Sequence, residues 1–271
     1  MLGVGKTEEL SKYTMYFKTI QASAIRSLIE ALKDILGDIN VCFDETGCSI
    51  NTMDQFQVAF ISLKLEAAKF QVYHCPKRIH CGVNMISLYK LLKTINNHDV
   101  ISWYIEKKDD QNLCIKIENK EKKSVSLSKM RLIDIDVQYL NIPDILFGSI
   151  VTIPCSEFQK YCRDLYQISD KVNIYYHNNS SNNDYNVFIM HTTGTYAEQT
   201  IQHGEFENDT QSELSHVGEF QLKYLNLFCK SAGLCTSVII YLQKNIPIIL
   251  HFAVSDLGSV KFGLSANATV D

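Results

Sequence analysis

Apolar residues recur every three or four positions in four segments of the chain, which predicts four amphipathic helices. The first helix has Ser23 as its predicted N-cap and ends at Gly37, and the second opens at Asn84. The third has Ser156 as its predicted cap, and the fourth turns Leu222 inward. Each half of the chain therefore carries two helices.

Shorter apolar runs lie between these helices and predict strands. In the first half they cover 40–43, 48–53, 58–65, 69–73, 101–105, 113–118 and 123–129. In the second half they cover 150–153, 172–176, 186–191, 195–202, 236–243, 247–254 and 259–264. A solvated loop is predicted over 178–184 and a polar connector over 204–218. Two helices and many strands in each half indicate an α+β protein.

One stretch near the middle, residues 129–144, separates the two halves. Apolar residues alternate there with Asp134 and Asp136, so an extended run would have one apolar and one anionic face until Pro143 stops regular pairing. We predict an N-terminal extension over 1–13, a first domain over 14–128, a connector over 129–146, a second domain over 147–268 and a tail over 269–271. Two domains of this size suit a chain of 271 residues.

Composition indicates a folded, water-soluble protein, with 46% hydrophobic and 21% charged residues. The most apolar run, 246–252, is too short to cross a bilayer, and no signal-peptide pattern opens the chain. We therefore expect an intracellular protein that does not span a membrane. The nine cysteines form an odd set without a C-x-x-C pair, which favours reduced and mostly buried thiols over disulfides or a zinc framework.

Each predicted helix also carries two cations outside its apolar stripe. The pairs are Arg26 with Lys33, Lys90 with Lys93, Lys160 with Arg163, and Lys223 with Lys230. The first members of the pairs are 64 positions apart in the first half and 63 in the second, and the halves are offset by 134 and 133 positions. This regularity predicts an internal repeat.

The net charge of −4 by itself argues against a nucleic-acid partner, but the distribution of charge matters more. Lysines on the solvent face of one amphipathic helix are ordinary, whereas two cations on each of four helices indicate a surface that faces a polyanion. Duplex DNA supplies dense negative charge without requiring base readout. No helix is rich in the side chains that read base edges, so we predict binding without sequence specificity.

Several blocks of the sequence resemble the proliferating cell nuclear antigen family, the sliding clamps of DNA replication. They are Leu28–Asp34, Gly82–Asn84, Leu132–Pro143, Glu157–Phe158, Cys162–Leu165, Tyr224–Asn226 and Asp256–Gly258, in order over about residues 14–266. The resemblance implies a closed homotrimeric ring of two-domain subunits, with helices lining a hole that holds duplex DNA and antiparallel sheets outside. It also implies a DNA polymerase processivity factor with no catalytic residue, cofactor or metal, working in the nucleus or at another site of DNA replication, including a viral replication compartment.

The resemblance also assigns roles to residues. It places DNA-facing cations at Arg26, Lys33, Lys90, Lys93, Lys160, Arg163, Lys223 and Lys230, with Lys123 and Arg131 as weaker additions. It places the pocket for partner peptides at Met53, Gln57, Val58, Phe60, Leu140, Ile142, Pro143, Phe147, Pro247, Leu264, Ser265 and Ala266. The implied partners are DNA polymerase, clamp loader, flap nuclease and ligase, which carry peptides of the pattern Gln-x-x-aliphatic-x-x-aromatic-aromatic, the PIP-box pattern.

The chain departs from the family at the pocket. Gly263 stands where the family usually has an aromatic residue, and Ser265 with Ala266 replaces the usual Ala-Pro. We therefore expect one large wall of the pocket to be absent. Ser27 likewise stands at a position that is usually basic.

Three other hypotheses fit parts of the sequence. Asp134 and Asp136 lie two positions apart, as in a carboxylate pair that shares a divalent ion, which would suit a metal-dependent enzyme. His74, Cys75, His80 and Cys81 contain zinc-ligand types at a spacing that fits no ordinary site. The third keeps the clamp fold but makes the chain one subunit of a heteromeric checkpoint-type ring.

Overall fold

The computed structural model describes residues 10–136, 147–177, 187–205 and 214–267. Contacts divide the chain into two units, one made of residues 1–55, 62–140 and 254–259, the other of residues 56–61, 141–253 and 260–271. Within the described ranges, four α-helices and two short 3₁₀ helices accompany antiparallel sheets. The α+β prediction is confirmed.

The first half of the chain contains nine strands and two α-helices in the part described. They are β1 (Tyr13–Thr19), α1 (Ala22–Leu32), β2 (Asp38–Asp44), β3 (Gly47–Met53), β4 (Ala59–Glu66), β5 (Val72–His74), β6 (Ile79–Asn84), α2 (Met85–Leu92), β7 (Asp99–Glu106), β8 (Asp109–Asn119) and β9 (Ser124–Arg131). A 3₁₀ helix, Ala67–Lys69, lies between β4 and β5.

The second half contains eight strands and two α-helices in its described ranges. They are β10 (Ser149–Pro154), α3 (Cys155–Tyr166), β11 (Lys171–His177), β12 (Val187–Thr193), β13 (Glu198–His203), β14 (Ser215–Gln221), α4 (Leu222–Phe228), β15 (Ser237–Leu242), β16 (Ile248–Val254) and β17 (Gly258–Leu264). A second 3₁₀ helix, Cys229–Gly233, follows α4 directly.

The order of strands repeats between the halves. In the first half, β5, β1, β7, β8 and β9 are neighbours in that order, and so are β4, β3, β2 and β6. In the second half the orders are β10, β15, β16, β17 and β13, β12, β11, β14. Apart from the short β5, each strand of one half therefore has a counterpart in the other, which confirms the predicted internal repeat.

The helices form where the apolar spacing predicts them, but two of the predicted caps are wrong. Asn84 does cap α2, because its side-chain oxygen accepts a hydrogen bond from the Ser87 N–H at 2.9 Å. Ser23 and Ser156 instead lie inside the first turns of α1 and α3, because these helices begin at Ala22 and Cys155. The first helix also stops at Leu32, ahead of the predicted end.

Sequence reasoning missed three strands. β1 and β6 were not predicted, and the predicted connector over 204–218 was wrong at its end because β14 begins at Ser215. β1 buries alternate residues, including Met15 and Phe17, while β14 pairs with β11 so that Phe220 lies opposite Val172. All three depend on neighbours that are distant in the sequence.

Each unit has an aromatic core of its own. In the first unit the ring centroid of Phe17 lies 4.8 Å from Phe70 and 5.2 Å from Trp103. In the second unit Phe228 stacks on Phe262 with their centroids 4.7 Å apart. Burying one such side chain stabilises the fold by about 1.5–3 kcal/mol, so these aromatic clusters contribute to the stability of each unit.

The central stretch begins within the first unit. β9 runs through Arg131, and the N–H of Ile133 donates to the Gly82 carbonyl at 2.9 Å. A Cβ on Gly82 would lie 2.0 Å from the Ile133 oxygen, so this close approach requires glycine. The Asn40 side-chain amide donates to the Ile135 carbonyl at 2.9 Å. Residues 137–146, together with the predicted tail, lie outside the described residues, and the domain boundaries stay predictions.

The nine cysteines are free thiols, and eight of them are buried. The sulfur atoms of Cys155 and Cys235 lie 3.8 Å apart, and burial raises the pKa of Cys155 to about 12. Such a thiol holds its proton at neutral pH and is a poor nucleophile. Among the helices in the described ranges, none combines the length and apolar character needed to cross a membrane.

Candidate nucleic-acid interface and peptide groove

The first two helices pack side by side and use one of the predicted cations to do so. Arg26 on α1 donates from Nη1 to the Ile95 carbonyl at 2.8 Å, just beyond the end of α2. Lys33, at the C-cap of α1, pairs with Asp34 at 2.9 Å and lies 5.1 Å from the centroid of the Tyr89 ring. Both cations are half-buried, and both already make polar contacts within the first unit.

The second pair of helices, α3 and α4, is joined by a hydrogen bond to a backbone carbonyl. This contact does not use the predicted cations of the pair. Asn226 on α4 donates to the Cys162 carbonyl of α3 at 3.3 Å. Lys160 and Arg163 project from α3 as exposed side chains, while Phe158, Cys162 and Leu165 are buried on the other face. The cations therefore stand opposite the face that packs on the sheet.

The remaining predicted cations are exposed. They are Lys90 on α2, Lys93 at its C-cap, Lys223 on α4, Lys230 in the following 3₁₀ helix, Lys123 just before β9 and Arg131 at its end. Lys223 also lies 5.7 Å from the ring centroid of Phe56 and 5.3 Å from that of Tyr224. Each of the four helices thus presents positive charge, and such side chains attract phosphates without reading bases.

The predicted pocket residues lie in several elements. Met53 ends β3 in the first unit and is half-buried. In the second unit, Val58, Phe60, Phe147 and Pro247 are half-buried, Gln57, Ser265 and Ala266 are exposed, and Leu264 is fully buried. Leu140, Ile142 and Pro143 lie outside the described residues. The described members of the second unit surround the ends of β4, β10, β16 and β17.

The outer face of β15 and β16 is the face turned away from the buried core. Its side chains lie beside these residues and were not predicted as part of the pocket. Tyr241 on β15 lies opposite Ile249 on β16, and its ring centroid is 5.2 Å from that of Phe147. The Tyr241 hydroxyl lies 3.5 Å from Nδ1 of His251. Burial lowers the pKa of His251, with a further contribution from Lys261, so this imidazole is neutral at pH 7. The available signal was the unbroken apolar run over 238–242, which is typical of a strand covered on both faces.

The groove is the set of outer-face side chains in the second unit formed by Phe60, Phe147, Tyr241, Ile249 and His251. Its far edge is fixed by the segment after β17, because the Ser265 N–H donates to the Val58 carbonyl at 3.1 Å. Four apolar or aromatic side chains beside one imidazole suit an apolar peptide side chain.

The C-terminal segment is also tied to β14 through Glu219. The Asn267 side-chain amide donates to the Glu219 carboxylate at 2.9 Å, and Lys171 lies 3.1 Å from the same oxygen. The hydrogen bond from Asn267, followed by contacts with Lys171, lowers the pKa of Glu219 below its ordinary value of 4.5. The carboxylate is therefore preferentially ionised in the folded state.

Replacing Glu219 with glutamine should lower stability at pH 7 by about 0.5–1 kcal/mol, since the ion pair is partly exposed. A lowered pKa contributes stability that is fully present above the unfolded value near 4.5 and is lost as the pH falls through the folded value. Urea unfolding at fixed protein concentration should show the difference at pH 7 and a smaller one below pH 4.5. The exposed Glu66→Gln serves as control, and a pH-independent difference would contradict the assignment.

Comparison with known proteins decides the family. The family model described as "Proliferating cell nuclear antigen, N-terminal domain" matches residues 15–139, and its C-terminal counterpart matches residues 141–267. The chain belongs to the proliferating cell nuclear antigen family. The boundary between the two matches falls in the predicted connector.

Two relatives of this family member span nearly its whole length. "Probable DNA polymerase sliding clamp 1" of Paramecium bursaria Chlorella virus 1 is 33% identical over 252 residues, covering 91% of this chain and 94% of that protein. "Proliferating cell nuclear antigen" of Chaetomium thermophilum is 30% identical over 251 residues, covering 90% of this chain and 95% of that protein.

Membership of the proliferating cell nuclear antigen family makes the chain a sliding clamp that acts as a processivity factor for DNA polymerase, and not an enzyme. The enzyme hypothesis built on Asp134 and Asp136 is therefore wrong; both are exposed residues at the start of the central stretch. The zinc hypothesis also finds no support, because in the described part of the chain no three His, Cys, Asp or Glu side chains are grouped to hold a metal ion.

Proposed function

We propose that three copies of this clamp chain close head to tail into a ring around duplex DNA and tether replication enzymes to it. This proposal rests on a comparison of equivalent strand edges in the internal repeat, which are paired in one case and unpaired in the other among the described strands. β4 and β17 are neighbours in a sheet. Their counterparts in the repeat, β13 and β9, each end a sheet with a neighbour on one side among the described strands.

An open strand edge carries backbone N–H and C=O groups that favour pairing with another strand. Because β9 corresponds to β17 and β13 to β4, β9 of one copy can pair with β13 of the next in the way that β17 pairs with β4. The two edges differ, so the contact is heterologous and generates a ring when the rotation closes. β9 also exposes Val125 and Leu127, at 62% and 59%, on one side of the strand.

The predicted cations then supply the DNA-facing surface of the ring. We assign this role to the eight helix cations named above, with Lys123 and Arg131 as weaker members. A closed ring needs no tight grip on DNA, since topology prevents escape while screened phosphate contacts allow sliding. The absence of base readout makes the binding non-specific.

The groove is the proposed docking site for partner peptides of the pattern Gln-x-x-aliphatic-x-x-aromatic-aromatic. A short helical turn would place its apolar anchors against the outer face of β15 and β16, where Tyr241 and Ile249 lie. We propose DNA polymerase, clamp loader, flap nuclease and ligase as the partners that use it. Tethering raises the effective concentration of each enzyme at the DNA and so gives processivity. The site of action is then the nucleus or another site of DNA replication, including a viral replication compartment.

A threading experiment tests the ring. A linear duplex is anchored to a bead at one end, the clamp is allowed to thread over the free end, and that end is then blocked with a bulky protein. We expect the clamp to survive a high-salt wash on the blocked duplex and to be released when a restriction enzyme cuts it. Equal loss from open and blocked duplexes would contradict encirclement.

Light scattering on the purified chain distinguishes the proposed homotrimer from the heteromeric checkpoint-type clamp. A self-sufficient ring has three times the chain mass of 30.9 kDa. A chain that remains monomeric at high concentration, and threads only in the presence of other subunits, would support the heteromeric alternative.

A further inference from the structure

Gly263 lies on the outer face of β17, yet it is buried. Its neighbours Phe262 and Leu264 point into the core and are fully buried there, so residue 263 points to the opposite side. A glycine at an outer-face position has no side chain of its own to exclude water. The side chain that covers it is the ring of Phe60 on β4.

The geometry leaves room for one side chain only. A Cβ built on Gly263 would lie 1.7 Å from Cε1, 2.2 Å from Cδ1 and 2.5 Å from Cζ of Phe60. Real Cβ atoms do not approach carbon this closely, so the edge of the Phe60 ring occupies the space where a side chain at 263 would begin. An aromatic ring that covers a glycine on the neighbouring strand is a known way to stabilise a sheet.

The backbone around this pair is fixed on both strands. The Ser265 N–H donates to the Val58 carbonyl at 3.1 Å, two residues beyond Gly263 and two before Phe60. The inward neighbours Ala59 and Ile61 are fully buried. A side chain added at 263 is therefore accommodated by moving the Phe60 ring and not by separating the strands.

We propose that Phe60 and Gly263 form an interlocked pair that makes Phe60 the aromatic wall of the groove and so determines which partner peptides fit. This inference rests on the peptide docking proposed above. Phe60 remains half-buried, so one side of its ring packs on β17 while the rest stays accessible to a peptide side chain. The wall expected to be absent because of Gly263 is supplied by the adjacent strand.

Two single variants and their combinations test the pair. Binding is measured by fluorescence anisotropy with a labelled synthetic peptide containing Gln-x-x-Leu-x-x-Phe-Phe. Gly263→Ala should weaken binding by roughly tenfold because it displaces the ring, and Phe60→Ala should weaken it by roughly ten- to a hundredfold because it removes an aromatic anchor. The exchange variant Phe60→Ala with Gly263→Phe moves the ring to the other strand and should bind within about threefold of wild type.

Gly233→Ala is the matched control, because a Cβ there meets no atom within 4 Å. It should leave peptide binding and the thermal midpoint unchanged. The thermal midpoint gives a second readout that does not depend on the peptide: Gly263→Ala should lower it in the wild-type background and not when Phe60 is already alanine.

Additive midpoints, or a Gly263→Ala variant that binds the peptide like wild type, would overturn the proposal. A wild-type clamp that is retained on the end-blocked duplex but binds no peptide would refute peptide docking, and the groove role of Phe60 with it, while leaving the ring intact. Loss of retention with normal peptide binding would instead refute the ring and support the groove.

Discussion

Replacing Val125 and Leu127 together with glutamate should convert the clamp from a trimer into monomers and abolish its retention on end-blocked DNA. The substitution removes the two large apolar side chains that β9 exposes and adds two carboxylates to the edge proposed to pair with β13, which begins with Glu198. Loss of apolar hot-spot contacts with added like-charge repulsion typically costs about 2 kcal/mol or more per interface. Because a ring contains three identical interfaces, the effect on closure is multiplied.

Size-exclusion chromatography with light scattering over a dilution series measures this effect. The matched control replaces the same two residues with threonine, which keeps the strand preference of β9 and adds no charge. The control should stay trimeric over most of the range. A trimeric glutamate variant that still threads onto DNA would show that β9 is not the interface.

Reversing the charges of Lys160 and Arg163 on α3 should weaken association with an open linear duplex by roughly 10- to 100-fold at low salt. Both side chains are exposed on the face opposite the buried residues of α3, so the variant should fold normally. A ring carries three copies of this pair, and loss of their phosphate contacts should reduce the slope of log affinity against log salt by about 2 to 5. Electrophoretic mobility or anisotropy titrations over a range of salt concentrations provide the measurement.

The control for this variant reverses Lys107 and Lys108, which lie in the turn between β7 and β8 and not on a helix, and so makes the same change in net charge. It should leave the salt slope unchanged. Arg26→Ala is an informative contrast, because its guanidinium bonds the Ile95 carbonyl and its loss should lower the unfolding midpoint as well as DNA binding. Equal effects of the helix and turn variants would show that net charge, and not the helix surface, governs DNA association.

Much of the fold followed from local patterns. The helical spacing of apolar residues located all four helices, and the strong capping preference of Asn84 placed the start of α2 correctly. Two serines that resemble caps by type were wrong, because the helices begin earlier than predicted, at Ala22 and Cys155, so that both serines lie inside the first turn. β1, β6 and β14 were missed, since their order depends on pairing with strands far away in the chain.

The candidate sites were likewise predicted only in part from the sequence. Helical periodicity put Lys160 and Arg163 on a face away from the core, and the structure places both there as exposed side chains. It gave no hint that Arg26 bonds to the residues after α2, or that Tyr241 and His251 lie beside the predicted pocket. These neighbours are brought together by strand order and register.

The sequence by itself determined the α+β class, the internal repeat, the cationic helices and the family, because each is written in spacing or in short blocks of adjacent residues. Only the tertiary structure decided which edges of the repeat are already paired and which stay open, and that the Phe60 ring fills the space above Gly263. The physical reason is that steric exclusion and strand pairing act between atoms close in space, and the residues concerned are about two hundred positions apart in the chain.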